Sequence, residues 1–139
     1  EIITVMPEFT KAQNDLKTLE KQLSDELQRT QEEFNKKYQE FQQAVDSLPA
    51  NIAERRQKEL EDMMQRQNQF RQDAMQQLDK AQNDMMAPIY KKLDDAIKAV
   101  GQAEGVIYIF DLARTNIPYV DETKSINLTA KVKTQLGIK

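Results

Sequence analysis

The chain has no cysteine and no histidine. That excludes thiolate nucleophiles, imidazole bases and disulfides, and with them most zinc and haem sites. The lack of cysteine fits a reducing or an oxidising compartment equally well. With only three glycines, there is no Gly-rich loop to cradle a phosphate, so a nucleotide-driven cycle is not expected. Tryptophan is absent and aromatic residues make up 6% of the chain, too little for a large compact core. No apolar run approaches the roughly 20 residues that span a bilayer. No stretch reads as a secretory signal, and the opening at Glu1 reads as a mature or trimmed form.

Charge is plentiful at 31% of residues but mixed in sign, with a net charge of -3. Residues 1-48 carry -4, residues 52-104 carry -1 and residues 105-139 carry +2. No block of like charge is long enough to be a nucleic-acid arm, and the alternating signs read as solvated helix faces. The carboxylate pairs Glu61-Asp62 and Asp94-Asp95 sit at adjacent helical positions and point to different sides. They are solvated charges, so catalysis has no constellation to work with and no cofactor is expected.

Helical periodicity dominates the rest. Between Ile52 and Val100, apolar pairs recur every eleven residues, at Ile52-Ala53, Met63-Met64, Ala74-Met75, Met85-Met86 and Ala96-Ile97. Eleven residues make three turns of about 3.67, so the stripe stays in line along one helix face. Upstream, Leu27, Phe34, Phe41 and Leu48 form a seven-residue series, with a stutter at Leu19, Leu23 and Leu27. Pro49 disfavours helix at Leu48, and Asn51 with Glu54 offers a capping box. The pattern predicts a helix over 8-48, a turn at 49-51 and a second helix over 52-104.

A short connection makes the two helices antiparallel neighbours. If the turn lies near residue 50, facing residues have numbers adding to about 101. Phe41 then meets Leu60, Leu27 meets Ala74, and Ala12 meets Ile89. The two stripes match along their length, giving a coiled-coil arm whose forty-residue helices extend roughly 60 Å. The match weakens where Thr30 and Gln31 approach Arg71 and Phe70, and where Phe34 faces Gln67. Either the arm bends there, or long polar side chains snorkel over a straight seam. Pro88 predicts a kink near Asp84.

Beyond the hairpin, Gly101 and Gly105 are read as the helix end. Residues 106-111 (VIYIFD) are read as a strand buried on both faces, and Ile117 to Val120 as a shorter edge strand containing Pro118. Asn127 caps a last helix carrying Leu128, Val132 and Leu136, which Gly137 closes. Two strands and one short helix cannot make a core alone. They call for the N-terminal segment and further copies of the chain. Val106, Tyr108, Phe110, Ile117 and Tyr119 are the residues expected to build such a body.

The segments G-V-I-Y-I-F-D, I-P-Y-V-D and N-L-T-A-K-V-K-T-Q-L-G, following a long hairpin, resemble the Skp/OmpH family of periplasmic chaperones. M-P-E-F at the start of the first helix and A-P-I-Y at 87-90 fit the same family. The resemblance implies a mainly α fold with a small β part. A long antiparallel helical hairpin, residues 8-104, would be attached to a small β-barrel body of residues 1-7 and 105-139, formed by trimerisation. It implies a periplasmic, ATP-independent holdase that keeps unfolded outer-membrane proteins in a cavity between the arms. A peripheral membrane contact is compatible with it, and a spanning segment or a nucleic-acid partner is not. Met64, Met75, Met86 and Phe70 flank the seam and are the expected client contacts, since flexible methionine suits promiscuous surfaces. The plain alternative for any one of them is that it widens the hairpin core.

Two departures from the family stand out. The strand that precedes the segment matching residues 1-6 is not in this sequence, and the resemblance implies a short helix for EIITVM despite its β-branched residues. The chain is also acidic where the best-known members are basic, which leaves lipopolysaccharide binding without support. The competing reading is a structural coiled-coil adaptor or oligomerisation scaffold that docks through its tip, Leu48 to Ile52. A prefoldin-like plan shares the hairpin but fits the C-terminal segment less well.

Overall fold

The computed structural model describes residues 2-138, so Glu1 and Lys139, at the outer ends of the expected body segments, lie outside the described residues. Among the described residues there are three α-helices: α1 (Pro7–Ala44), α2 (Ala50–Glu104) and α3 (Thr129–Gln135). The segment before α1 forms a 3-10 turn at Ile3–Val5, a short helix rather than a strand. Pro7 opens α1, where its missing N–H costs nothing, and Glu8 complements the helix dipole.

The hairpin connection is longer than its sequence suggests: α1 ends at Ala44, four residues before the expected 48, and residues 45-49 make the turn in place of 49-51. A 3-10 turn at Val45–Ser47 ends the first arm, and Leu48 is extended (φ -85, ψ 142), as a residue before proline prefers. The Pro49 carbonyl accepts the N–H groups of Ile52 (2.9 Å) and Ala53 (3.0 Å), so α2 begins two residues earlier than expected. Asn51 therefore lies within the first helical turn, and the capping box expected with Glu54 does not form. The helix α2 continues through Pro88. Gly101 does not end it. It is buried within α2, where an added Cβ would stand 3.1 Å from Ile109 Cδ1, so its smallness serves close packing. Gly105, at φ 66, is the residue that takes the chain out of the helix.

The chain divides into two compact units, residues 15–81 and residues 1–14 with 82–139. In the first unit, segments of α1 and α2 pair as a helical hairpin. Its buried positions are Leu60, Gln67 and Ala74, spaced by seven along α2. The second unit gathers its core from distant parts of the sequence. Ala96, Val100, Leu128 and Val132 form one cluster, with Val106 and Ile109 packed on it. Met6, Ala12 and Ile89 form another, joined by Phe9, Met85, Met86, Leu136 and Ile138. Ala12 and Ile89 have numbers adding to 101, as the expected register requires.

The expected strands are not formed within a single copy: among the described residues, neither 106-111 nor 117-120 is a strand. An extended segment becomes a strand only against a partner edge that takes up its N–H and C=O groups. Residues 2-5 are turned into a 3-10 coil and offer no extended edge, and Pro118 removes one donor from the second segment. Residues 106-128 instead run as turns and extended coil. The Asp111 carboxylate accepts from Ala113 N–H (3.0 Å), and the Asp121 carboxylate accepts from Thr123 N–H (3.0 Å) and Oγ1 (2.6 Å). These bonds hold the Asp121 carboxyl below the usual range. At the entry to α3, the Asn127 side-chain oxygen accepts from Thr129 N–H (3.0 Å), and Gly137, at φ 73, closes the helix.

Candidate functional site

Two surfaces carry the residues singled out by sequence. On the hairpin unit, Met64 and Met75 are 52% and 69% exposed, large values for apolar side chains. They are eleven residues apart and so share a face of α2. Phe70 is half-buried and lines a notch in the middle of the hairpin. Met86 belongs to the other unit, half-buried against the cluster of Met6 and Ile89. The structure thus presents two of the four expected client contacts to solvent, places one at the notch and packs the last on a core.

The notch has a volume of about 360 Å³. Thr30, Glu33 and Lys37 line it from α1, and Met63, Arg66, Gln67 and Phe70 from α2. It forms at the place where the apolar seam is interrupted, because Gln67 occupies the buried position that Leu60 and Ala74 fill one heptad away on either side. Gln67 is 9% exposed, and its amide nitrogen has no hydrogen-bond partner. An unpaired buried amide costs about 1–3 kcal/mol. The other polar groups nearby are differently engaged. Thr30 Oγ1 donates to the Leu27 carbonyl (3.0 Å). The Arg29 guanidinium bridges Glu26 (2.6 Å) and Glu33 (2.9 Å), which holds the Glu26 carboxyl down and raises the guanidinium. Arg66 donates through Nε to the Asp62 carbonyl (3.3 Å), and neither Arg66 nor Lys37 has an ion pair among the described residues. The notch therefore combines two uncompensated cations, an unsatisfied amide and the apolar flanks of Met63 and Phe70.

On the other unit, the expected body residues divide. Val106 is packed on the core and Ile117 is half-buried. Tyr108 (74%), Phe110 (58%) and Tyr119 (78%) are open to solvent, with Tyr108 and Phe110 stacked at 5.9 Å. Ile107, Leu112 and Ile126 are exposed as well, and were not singled out by the sequence reading. Ile107 lies inside the expected strand 106-111, where the assumption of burial on both faces hid it, while Leu112 and Ile126 lie outside both expected strands. Ion pairs brace the base of this unit. Lys92 bonds Glu8 across from α2 to α1, holding the Glu8 carboxyl below its usual range, and Lys131 pairs with Glu104 at 2.6 Å. Arg114 lies over the Tyr90 ring at 5.8 Å.

Among the described residues there is no cluster of three or more groups able to hold a metal, and no helix long and apolar enough to cross a membrane. A family model described as outer membrane protein (OmpH-like) matches residues 1–136. No curated protein matches the chain.

Proposed function

Because the chain belongs to the OmpH-like outer membrane protein family, whose members are periplasmic chaperones rather than enzymes, we propose that it is an ATP-independent holdase for unfolded outer-membrane proteins. The observation that carries this reading is the exposure of Met64 and Met75 on a hairpin whose other surface positions are mostly charged or polar. Deformable thioether side chains grip many apolar sequences weakly, so a client stays mobile while it is kept from aggregating. Phe70, at the notch of the same unit, adds to this apolar offering, while Met86 packs on the core of the other unit.

A holdase needs several arms around one client, and the second unit supplies a means of joining them. Ile107, Tyr108, Phe110, Leu112, Tyr119 and Ile126 all stand exposed between residues 107 and 126, and exposed apolar side chains gathered on one segment suit a protein–protein contact. In this reading Val106, Tyr108, Phe110, Ile117 and Tyr119 of three copies meet and complete one small barrel, each copy lending the edge that the others lack. The arm is the hairpin of residues 8-104, and the body is residues 1-7 with 105-139.

The test is to dilute a urea-unfolded outer-membrane β-barrel protein into buffer with and without this protein. ATP is left out, light scattering is followed, and the mass in solution is measured on the same sample. Suppression near one trimer per client is the expected result. A well-formed oligomer that fails to suppress scattering would instead favour a scaffold that docks through its tip at Leu48 to Ile52.

A further inference from the structure

The notch in the middle of the hairpin has a chemical preference of its own. Its only buried polar side chain, Gln67, sits where the seam should be apolar, and its amide nitrogen meets no acceptor. The terminal torsion of glutamine is broad and lacks steep staggered wells, so a modest rotation turns the N–H pair toward a guest. Lys37 and Arg66 stand at the same notch without ion-pair partners, whereas the one carboxylate there, Glu33, is already held by Arg29. Met63 and Phe70 supply an apolar wall. A volume of about 360 Å³ is large enough for one or two side chains and too small for a folded element.

We propose that this notch is a peptide subsite that takes an acidic side chain next to an apolar one in an extended, unfolded polypeptide. The guest carboxylate accepts from the Gln67 amide and lies between the Lys37 and Arg66 charges, while its apolar neighbour covers Met63 and Phe70. This deepens the holdase reading and rests on it: the exposed methionines grip without regard to sequence, and the notch adds a bias toward acidic-apolar pairs. An unsatisfied amide at a seam position lowers the stability of the free hairpin, and the guest supplies the missing acceptor.

A paired peptide titration tests it. Two fluorescent octapeptides with blocked termini, one carrying Asp beside Phe and the other Asn beside Phe, are titrated with the full chain by anisotropy. The native protein is expected to favour the Asp peptide by about tenfold, the difference a charge-assisted hydrogen bond supplies, and less as salt is raised. Gln67→Leu should raise Tm by about 4 °C and weaken the Asp peptide. The double variant Lys37→Gln, Arg66→Gln should retain the fold and lose the preference. Equal binding of the two peptides by the native protein overturns the proposal. So does an undiminished preference in Gln67→Leu, or a fall in its Tm, which would show the amide already satisfied. Client light scattering on the same samples separates the two levels. Suppression that persists without a peptide preference removes the notch alone, whereas absence of suppression removes the holdase reading.

Discussion

Residues 15–81 and the unit made of residues 1–14 and 82–139 use apolar side chains in different ways. In the hairpin, two helices face each other along one stripe, and burial is confined to Leu60, Ala74 and the polar Gln67. Nearly every other side chain is at least partly wet, and exposed pairs such as Lys21–Asp25 contribute little. The other unit buries Met6 completely and Val132 almost so, yet leaves Ile107, Tyr108, Phe110, Leu112, Tyr119 and Ile126 in solvent. The hairpin satisfies its modest needs within one chain. The second unit has both the more deeply buried core and the greater number of exposed large apolar side chains.

Removing core side chains should separate the units most strongly. Met6→Ala is expected to cost about 2–5 kcal/mol, since a fully buried side chain leaves a cavity. Leu60→Ala should fall near the lower end, about 2 kcal/mol, because an open two-helix seam collapses more easily. Urea unfolding followed by hydrogen exchange in each unit checks this, and equal losses would mean the units are not distinct in packing.

Replacing Met64 and Met75 together by Gln should leave stability within about 0.5 kcal/mol, as the side chains are exposed. It should nonetheless reduce client suppression in the scattering assay, so that holding and stability come apart in the hairpin. Next in size is the exchange rate at the interrupted seam. Amides in residues 28-34 and 66-72 should exchange faster than those one turn away on either side. Uniform rates along the arm would sink the bend and favour snorkelling.

The smallest effect belongs to the Glu8–Lys92 pair. Glu8 has its pKa lowered mainly by the hydrogen bond from Lys92, so its contribution is present above the unfolded carboxylate value of about 4.3 and is lost as pH falls through the lower folded value. Glu8→Gln should slightly flatten the decline of Tm between neutral pH and that window. Both groups are well exposed, so a large change there would show a coupling that the contacts do not explain.

Helices and their register were legible because periodicity reports which face is buried, whatever covers it. Numbers adding to about 101 predict the meeting of Ala12 with Ile89, and place Thr30 and Phe70 at the same notch. The start of α2 was misread because Asn51 looks like a cap, while the helix already begins at Ala50, with the Pro49 carbonyl accepting its first main-chain bonds. Gly101 was misread as punctuation because sequence does not show Ile109 pressing on it. The strands were read from β-branched and aromatic residues at 106-111, and composition of that kind states a preference without providing a partner edge. Of the site, the exposure of Met64 and Met75 followed from their place beside the seam. Gln67 was visible as a polar residue facing Phe34, but its lost hydrogen bond, and the unpaired charges of Lys37 and Arg66, depend on side-chain geometry.

The discontinuity of the second unit has a consequence for how the chain acquires its fold. Leu136 and Ile138 pack on the cluster of Met6, although nearly the whole sequence lies between them. Contacts that distant form slowly from an open chain, because the ends must find each other before anything rewards the search. Hairpin formation needs only the local turn at Pro49, and zipping along it carries Ala12 to Ile89 and shortens the remaining search to the last segment. Pulse-labelling during refolding should therefore find residues 15–81 protected before Ala96, Val100 and Val132.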